Sequence, residues 1–200
     1  MSNHGDQLIV DSNQALIIVD VQEGLDEPVH GHRNNPNAES NMASLLAAWR
    51  LAGRPVFHIQ HLSTNPESTL APGKPGTAIK LEVAPLDQEP VLQKQVNSAF
   101  IGTDLEQRLR AAGIRSVVVI GLTTNHCVET TVRMAGNLGF DTYLVGDATA
   151  TFDRVGPDGV LYRAEDIQAI SLASLHQEFA TVVTTDQLLE AHGAWATATR

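Results

Sequence analysis

Short β-branched runs recur along this chain, with helical patterns between them, and that alternation limits the folds open to it. The runs are Ala15–Val21, Pro55–Gln60, Pro90–Gln93, Ser116–Leu122, Thr142–Gly146 and Ala180–Thr184. Several are apolar on consecutive residues (ALIIV, SVVVIGL), which marks strands covered on both faces. Between them, Ala38–Ala52 carries Leu45, Leu46, Trp49 and Ala52 at helical spacing, with Gly53 placed to end the helix. Thr103–Glu106 reads as a capping box for a helix ending near Gly113. Further helices are expected from His126 or Cys127 to Gly139, over Ala164–Phe179 and over Asp186–His192. Alternation of this kind builds βαβ units. The expected architecture is a three-layer α/β/α sandwich around a six-stranded, mainly parallel, Rossmann-like sheet.

Two hundred residues suit one such domain over 1–200, with a core over about 14–190 and flexible tails at 1–12 and 193–200. The second tail is small and polar, and either fraying or packing on a neighbouring subunit is open to it. Thirteen basic residues against 23 acidic ones give a net charge of −10, which repels phosphate backbones, so nucleic acid is not an expected partner. No apolar run approaches the ~20 residues of a membrane helix, and the first residues, MSNHGDQ, do not form a secretory signal. One cysteine, Cys127, rules out an intramolecular disulfide and a cysteine-rich zinc site. The expectation is a cytoplasmic protein that meets small molecules and no membrane. Without a G-x-G-x-x-G or P-loop pattern, no nucleotide cofactor is expected.

Two stretches break the alternation. Gln22–Asn37 is punctuated by Gly24, Pro28, Gly31 and Pro36, and Leu62–Glu89 is rich in Pro, Gly, Ser and Thr. Both follow strand ends, where open α/β sheets bind ligands. Such loops are binding walls or tolerated insertions.

Three residues at strand ends carry chemistry. Asp20 interrupts ALIIVDVQ, and an acid there is costly unless it is paired or catalytic. Cys127 follows the strand–turn SVVVIGLTTNH at the expected start of a helix, where the helix dipole favours thiolate and backbone N–H groups can hold an oxyanion. A lone cysteine is otherwise a small buried hydrophobe. Lys94 ends PVLQK; pointing outward it is a solvated lysine, pointing inward it needs an anion such as Asp20. His126 beside Cys127 invites a Cys–His dyad, but adjacent side chains entering an α-helix diverge by about 100°, so His126 is expected to point away.

These positions, within LIIVDVQ, the K-x-x-N-S-A-F segment Lys94–Phe100 and GLTTNHCVETTVRMA from Gly121 to Ala135, together resemble the isochorismatase-like cysteine hydrolase superfamily, which includes nicotinamidases, N-carbamoylsarcosine amidases and isochorismatases. GFDTYLVGDATAT, further on, resembles the family's fifth strand and loop. The resemblance implies that Cys127 is the nucleophile, that Asp20 takes its proton, and that Lys94 orients Asp20 and stabilises the thiolate. It implies a cis peptide between Leu122 and Thr123, an oxyanion hole from the N–H groups of Thr123 and Cys127, and a homo-oligomer, dimer or tetramer. The activity it implies is hydrolysis of a small non-peptide amide or ureido substrate through a thioester. Vinyl ether hydrolysis of the isochorismatase type and a thiol-based sensor without turnover are the alternatives. Gln22, Leu25, His61, Phe100 and Phe152 are the candidate substrate contacts. The aspartate–histidine metal pattern of nicotinamidases is missing from PVFHIQHLS, and His58 and His61 on one strand fall on opposite faces, so no metal is expected.

Overall fold

A computed structural model describes residues 13–198. Its centre is a six-stranded, all-parallel sheet. The strands are β1 (Ala15–Val19), β2 (Val56–His61), β3 (Val91–Lys94), β4 (Ser116–Leu122), β5 (Asp141–Ala150) and β8 (Thr181–Val183), lying in the order β3-β2-β1-β4-β5-β8. A short antiparallel hairpin, β6 (Arg154–Val155) with β7 (Leu161–Tyr162), lies outside it. The helices are α1 (Ala38–Leu51), α2 (Leu105–Ala111), α3 (Glu129–Asn137), α4 (Ala164–Leu175) and α5 (Thr185–Ala198).

Every residue of β1 and β4 is buried, because helices cover both faces of the central strands. Leu16, Ile18, Val118 and Ile120 face Met42, Leu45, Leu46 and Trp49 of α1 and Leu188 of α5. Ile17, Val19, Val117 and Val119 face Leu105 and Leu109 of α2, Val132 and Ala135 of α3, and Leu175 of α4. This is the expected three-layer sandwich.

Local departures have local causes. The Thr103–Glu106 capping box is not made: Asp104 is the N-cap, Thr103 Oγ1 donates to the Ala99 carbonyl, and Glu106 pairs with Arg110. α4 stops at Leu175 rather than Phe179, because Gln177 turns into the left-handed region at φ 67° and the Leu175 carbonyl accepts the N–H groups of Phe179 and Ala180. β5 runs to Ala150, past its expected end at Gly146, by an irregularity in which Ile120 alone stands opposite Val145–Ala148. The segment 193–198, expected as a tail, continues α5, while the expected tail 1–12 lies outside the described residues. Among the described residues no helix is long and apolar enough to cross a membrane.

The chain reverses its direction of travel across the sheet between β1 and β4. Ligands gather in the crevice beyond the strand ends at such a switch point. Gly121 makes that crevice possible: at φ 126° it packs against Val19, and a Cβ there would overlap the Val19 carbonyl oxygen.

Candidate active site

Asp20 is the first residue past β1, and its backbone is left-handed at φ 52°. Aspartate is among the few residues that enter this region at modest cost. The turn has a geometric effect. Strand alternation would place Asp20 on the side of Leu16 and Ile18, yet Val21 packs in their cluster instead, so the alternation reverses at Asp20. Its carboxylate is thereby aimed at Lys94.

Lys94 ends β3, whose burial alternates so that Leu92 and Lys94 turn inward together. Its Nζ lies 2.6 Å from Asp20 Oδ2, and both side chains are almost fully buried. Lys94 pairs in register with His61 of β2, so the two side chains meet, Nζ donating to His61 Nδ1 at 3.1 Å. Burial and the neighbouring ammonium hold His61 neutral, its pKa pushed down to about 4, while its ring also bonds the Val96 backbone.

Cys127 lies in a π-helical turn, Thr124–Val128, that precedes α3. The α-helix therefore begins at Glu129, later than expected. Peptide Leu122–Thr123, at the entry to the turn, is cis. A carboxylate oxygen of Asp20, a ring nitrogen of His61 and the sulfur of Cys127 all lie within 4.8 Å of one another. The thiol also reaches Asn97 Oδ1 at 3.9 Å.

The thiol is not held as the thiolate that a helix N-terminus would favour. Burial, reinforced by the negative charge of Asp20, pushes its pKa up to about 12, against the pull of Lys94. Burial raises Asp20 as well, outweighing Lys94. Asp20 Oδ2 is engaged by Lys94, and Oδ1 is buried with no hydrogen-bond partner. A protonated sulfur thus stands beside a carboxylate with one oxygen unspent. Lys94 bridges Asp20 and His61, its Nζ donating to both.

Asp20, His61 and Cys127 open into a cleft of about 210 Å³. Leu25, His61 and Phe152 line it, as the sequence suggested. Gln22 and Phe100 do not. Gln22 is fully buried and braces two loops, accepting from the His61 N–H and donating to the carbonyls of His61 and Thr77. Phe100 stacks on Phe140 at 6.0 Å and packs into the core. His58 lies on the other face of β2, bound to Glu89 at 2.9 Å. His126 was expected to point away and instead lines the cleft, since the residues before α3 follow a π-helical turn rather than α-helical spacing. It forms no dyad with Cys127: its Nδ1 meets Thr123 Oγ1 at 3.4 Å and Arg154 at 3.3 Å. Sequence reasoning also passed over Asn97, inside the K-x-x-N-S-A-F segment, and Arg154, Ser68 and His30, which no motif marked.

Both irregular loops are built into this wall. The segment 21–24 pairs with 78–80 through Glu23 N–H to Ala78 O at 2.9 Å and Lys80 N–H to Val21 O at 3.0 Å. Asn34 and Thr151 bond each other through main chain and side chain. Beneath them the buried Lys80 ammonium contacts Asp26 at 2.5 Å and Glu39 at 2.7 Å, and Arg33 also binds Glu39. His30 and Phe152, rings 5.2 Å apart, close one side of the cleft.

A parallel α/β fold with a cysteine, an aspartate and a lysine at its switch point defines a class of hydrolytic enzyme. The Isochorismatase domain model matches residues 14–187, and the chain belongs to the isochorismatase family. It is 52% identical over 180 residues to the isochorismatase family protein YrdC of Bacillus subtilis, covering 90% of this chain and 96% of YrdC. A crystal structure of an isochorismatase-family protein from Chromobacterium violaceum superimposes with a TM-score of 0.90 at 46% identity, over 93% of this chain and 96% of that one. A cysteine hydrolase from Pseudomonas syringae pv. phaseolicola gives 0.84 at 27% identity, over 93% and 95%.

Proposed function

We propose that this isochorismatase-family hydrolase cleaves a small non-peptide amide or ureido bond through a thioester on Cys127. The observation that carries the reading is the unspent Asp20 oxygen, buried beside the thiol while Lys94 holds the other oxygen at 2.6 Å. As Sγ attacks the carbonyl carbon, its proton passes to Asp20, whose raised pKa makes it the better base. Lys94 attracts the charge that develops on sulfur and fixes the carboxylate. The carbonyl oxygen becomes an oxyanion, held by the N–H groups of Thr123 and Cys127. Collapse breaks the C–N bond, and Asp20 returns the proton to the leaving nitrogen. Water, deprotonated by Asp20, then attacks the thioester, releasing the acid and restoring the thiol. A thiol with its pKa near 12 suits attack assisted by a base and is a poor peroxide sensor, which sets this reading above a redox one.

The test is ammonia or amine release from a panel of small amides and ureido compounds, with intact-mass detection of an acyl adduct. Cys127→Ala is expected to lower turnover by about 10⁴ or more, and Asp20→Asn by about 10²–10⁴. Full activity of Cys127→Ala on the panel would remove Cys127 as the nucleophile, whereas pyruvate release from isochorismate by that variant would favour vinyl ether hydrolysis instead.

A further inference from the structure

Resting on the hydrolase reading above, we propose that His61 is a positioning residue: it holds the Lys94 ammonium to one side of the Asp20 carboxylate and so keeps Oδ1 free for the Cys127 proton. The argument starts from an imbalance. An ammonium carries three N–H donors on a flexible stem, and a carboxylate offers two oxygens. Packed together in a buried site, the two groups gain most when the ammonium lies across both oxygens. Here it does not. Nζ stands 2.6 Å from Oδ2, while Oδ1 is buried without a hydrogen-bond partner.

His61 supplies the competing acceptor. An ammonium only donates, so the 3.1 Å contact from Nζ to His61 Nδ1 makes Nδ1 the acceptor and puts the ring proton on Nε2. Nζ is thus drawn away from Oδ1 by a second acceptor. The ring is neutral, so it draws the ammonium without sharing its charge. A carboxylate in its place would compete with Asp20 for the cation, and a protonated imidazole could not accept.

His61 is itself held. It stands in register with Lys94, and the Leu62 N–H donates to the Lys94 carbonyl at 2.8 Å, tying the strand ends together. The side chain of Gln22 bonds both the N–H and the carbonyl of His61, at 2.8 and 3.0 Å. The Val96 backbone engages the ring. Around Asp20 the titratable and charged groups are Lys94 from β3, His61 from β2, and Cys127 and His126 from the π-helical turn, with His30 and Arg154 further along the wall. Of these, Lys94 and Cys127 are the ones that bond the carboxylate, one as its fixed cation and the other as the proton donor.

Iodoacetamide reads this arrangement without turnover. Alkylation forms an S–C bond, expels iodide and sends the thiol proton to Asp20. His61→Leu fills the space and accepts nothing, so the ammonium spreads over both oxygens and Asp20 becomes a weaker base. Alkylation of Cys127 at neutral pH is expected to slow about tenfold, the effect of one charge-assisted hydrogen bond. Its acid limb should move to lower pH, which a loss of packing would not cause. His61→Asn should restore rate and limb, because its Oδ1 sits directly beyond Cγ, as Nδ1 does. His61→Gln carries the amide one atom further and should behave like His61→Leu. On any accepted amide the loss should fall on kcat with KM unmoved; a substrate contact, the role the sequence suggested, would raise KM instead. A folded His61→Leu or His61→Gln protein that alkylates like wild type, or a His61→Asn protein as slow as His61→Leu, would overturn the positioning role and leave the Cys127 nucleophile standing. A wild-type Cys127 inert to iodoacetamide would overturn the hydrolase reading and this inference with it.

Discussion

At the residue scale, the proposed mechanism turns on the ionisation of Asp20. In that mechanism Asp20 accepts the thiol proton only when charged, and burial raises its pKa above the ordinary aspartate value despite Lys94. Activity therefore rises with pH as Asp20 loses its proton, and the acid limb of kcat/KM should lie above about 3.9. A pH profile on any accepted amide checks this, and a limb at or below that value would assign it to another group. Gly121 is the second residue on which the site depends. Gly121→Ala forces a Cβ onto the Val19 carbonyl at a backbone angle alanine resists, directly before Asp20. The expected cost is at least ~3 kcal/mol in urea unfolding, with activity falling further than stability does. Much of this was legible early: Asp20, Lys94 and Cys127 are polar groups at the ends of apolar runs, and the structure gathers them. Gln22 and Phe100 were misassigned because an irregular segment does not reveal where its side chains turn. Arg154 went unnoticed because its neighbours, Phe152-Asp153 and Val155-Gly156, give no periodic pattern.

Among the elements, the loops are the less obvious achievement of the sequence. Residues 22–37 and 62–89 hold short 3₁₀ turns rather than long helices or strands, yet they are joined to each other and to the end of β5. Their anchor is Glu39 at the start of α1. Burial alone would raise its pKa, but hydrogen bonds from Arg33 and Lys80 overcome that and hold it at about 2. A carboxylate held below its unfolded value near 4.5 contributes stability that is complete above that pH and is lost as pH falls from there toward 2. The interval corresponds to about 3 kcal/mol. Glu39→Gln should remove a comparable amount at neutral pH, lower Tm by roughly 10 °C and flatten the acid dependence of unfolding between pH 4.5 and 2. Calorimetry across that range measures both. Glycine, proline and serine marked these segments as irregular, but the pairing of Lys80 with Glu39, 41 positions apart, has no local signature.

For the molecule as a whole, the strand order divides the work. β1, β2 and β3 come from the first half of the chain and occupy one side of the sheet, while β4, β5 and β8 come from the second half and occupy the other. The sequence revealed the alternation that produces six strands; the order in which they lie is set by tertiary packing. The boundary between the halves passes through the exposed turn at Ile101 and Gly102, ahead of α2. A chain cut there separates Asp20 and Lys94 on one piece from Cys127 on the other. Co-expressed fragments 1–101 and 102–200 are expected to show the proposed amide hydrolysis together and none apart. The seam between β1 and β4 would then serve as a reconstitution joint, and the protein as a split reporter whose signal appears when two fused partners bring its halves into register.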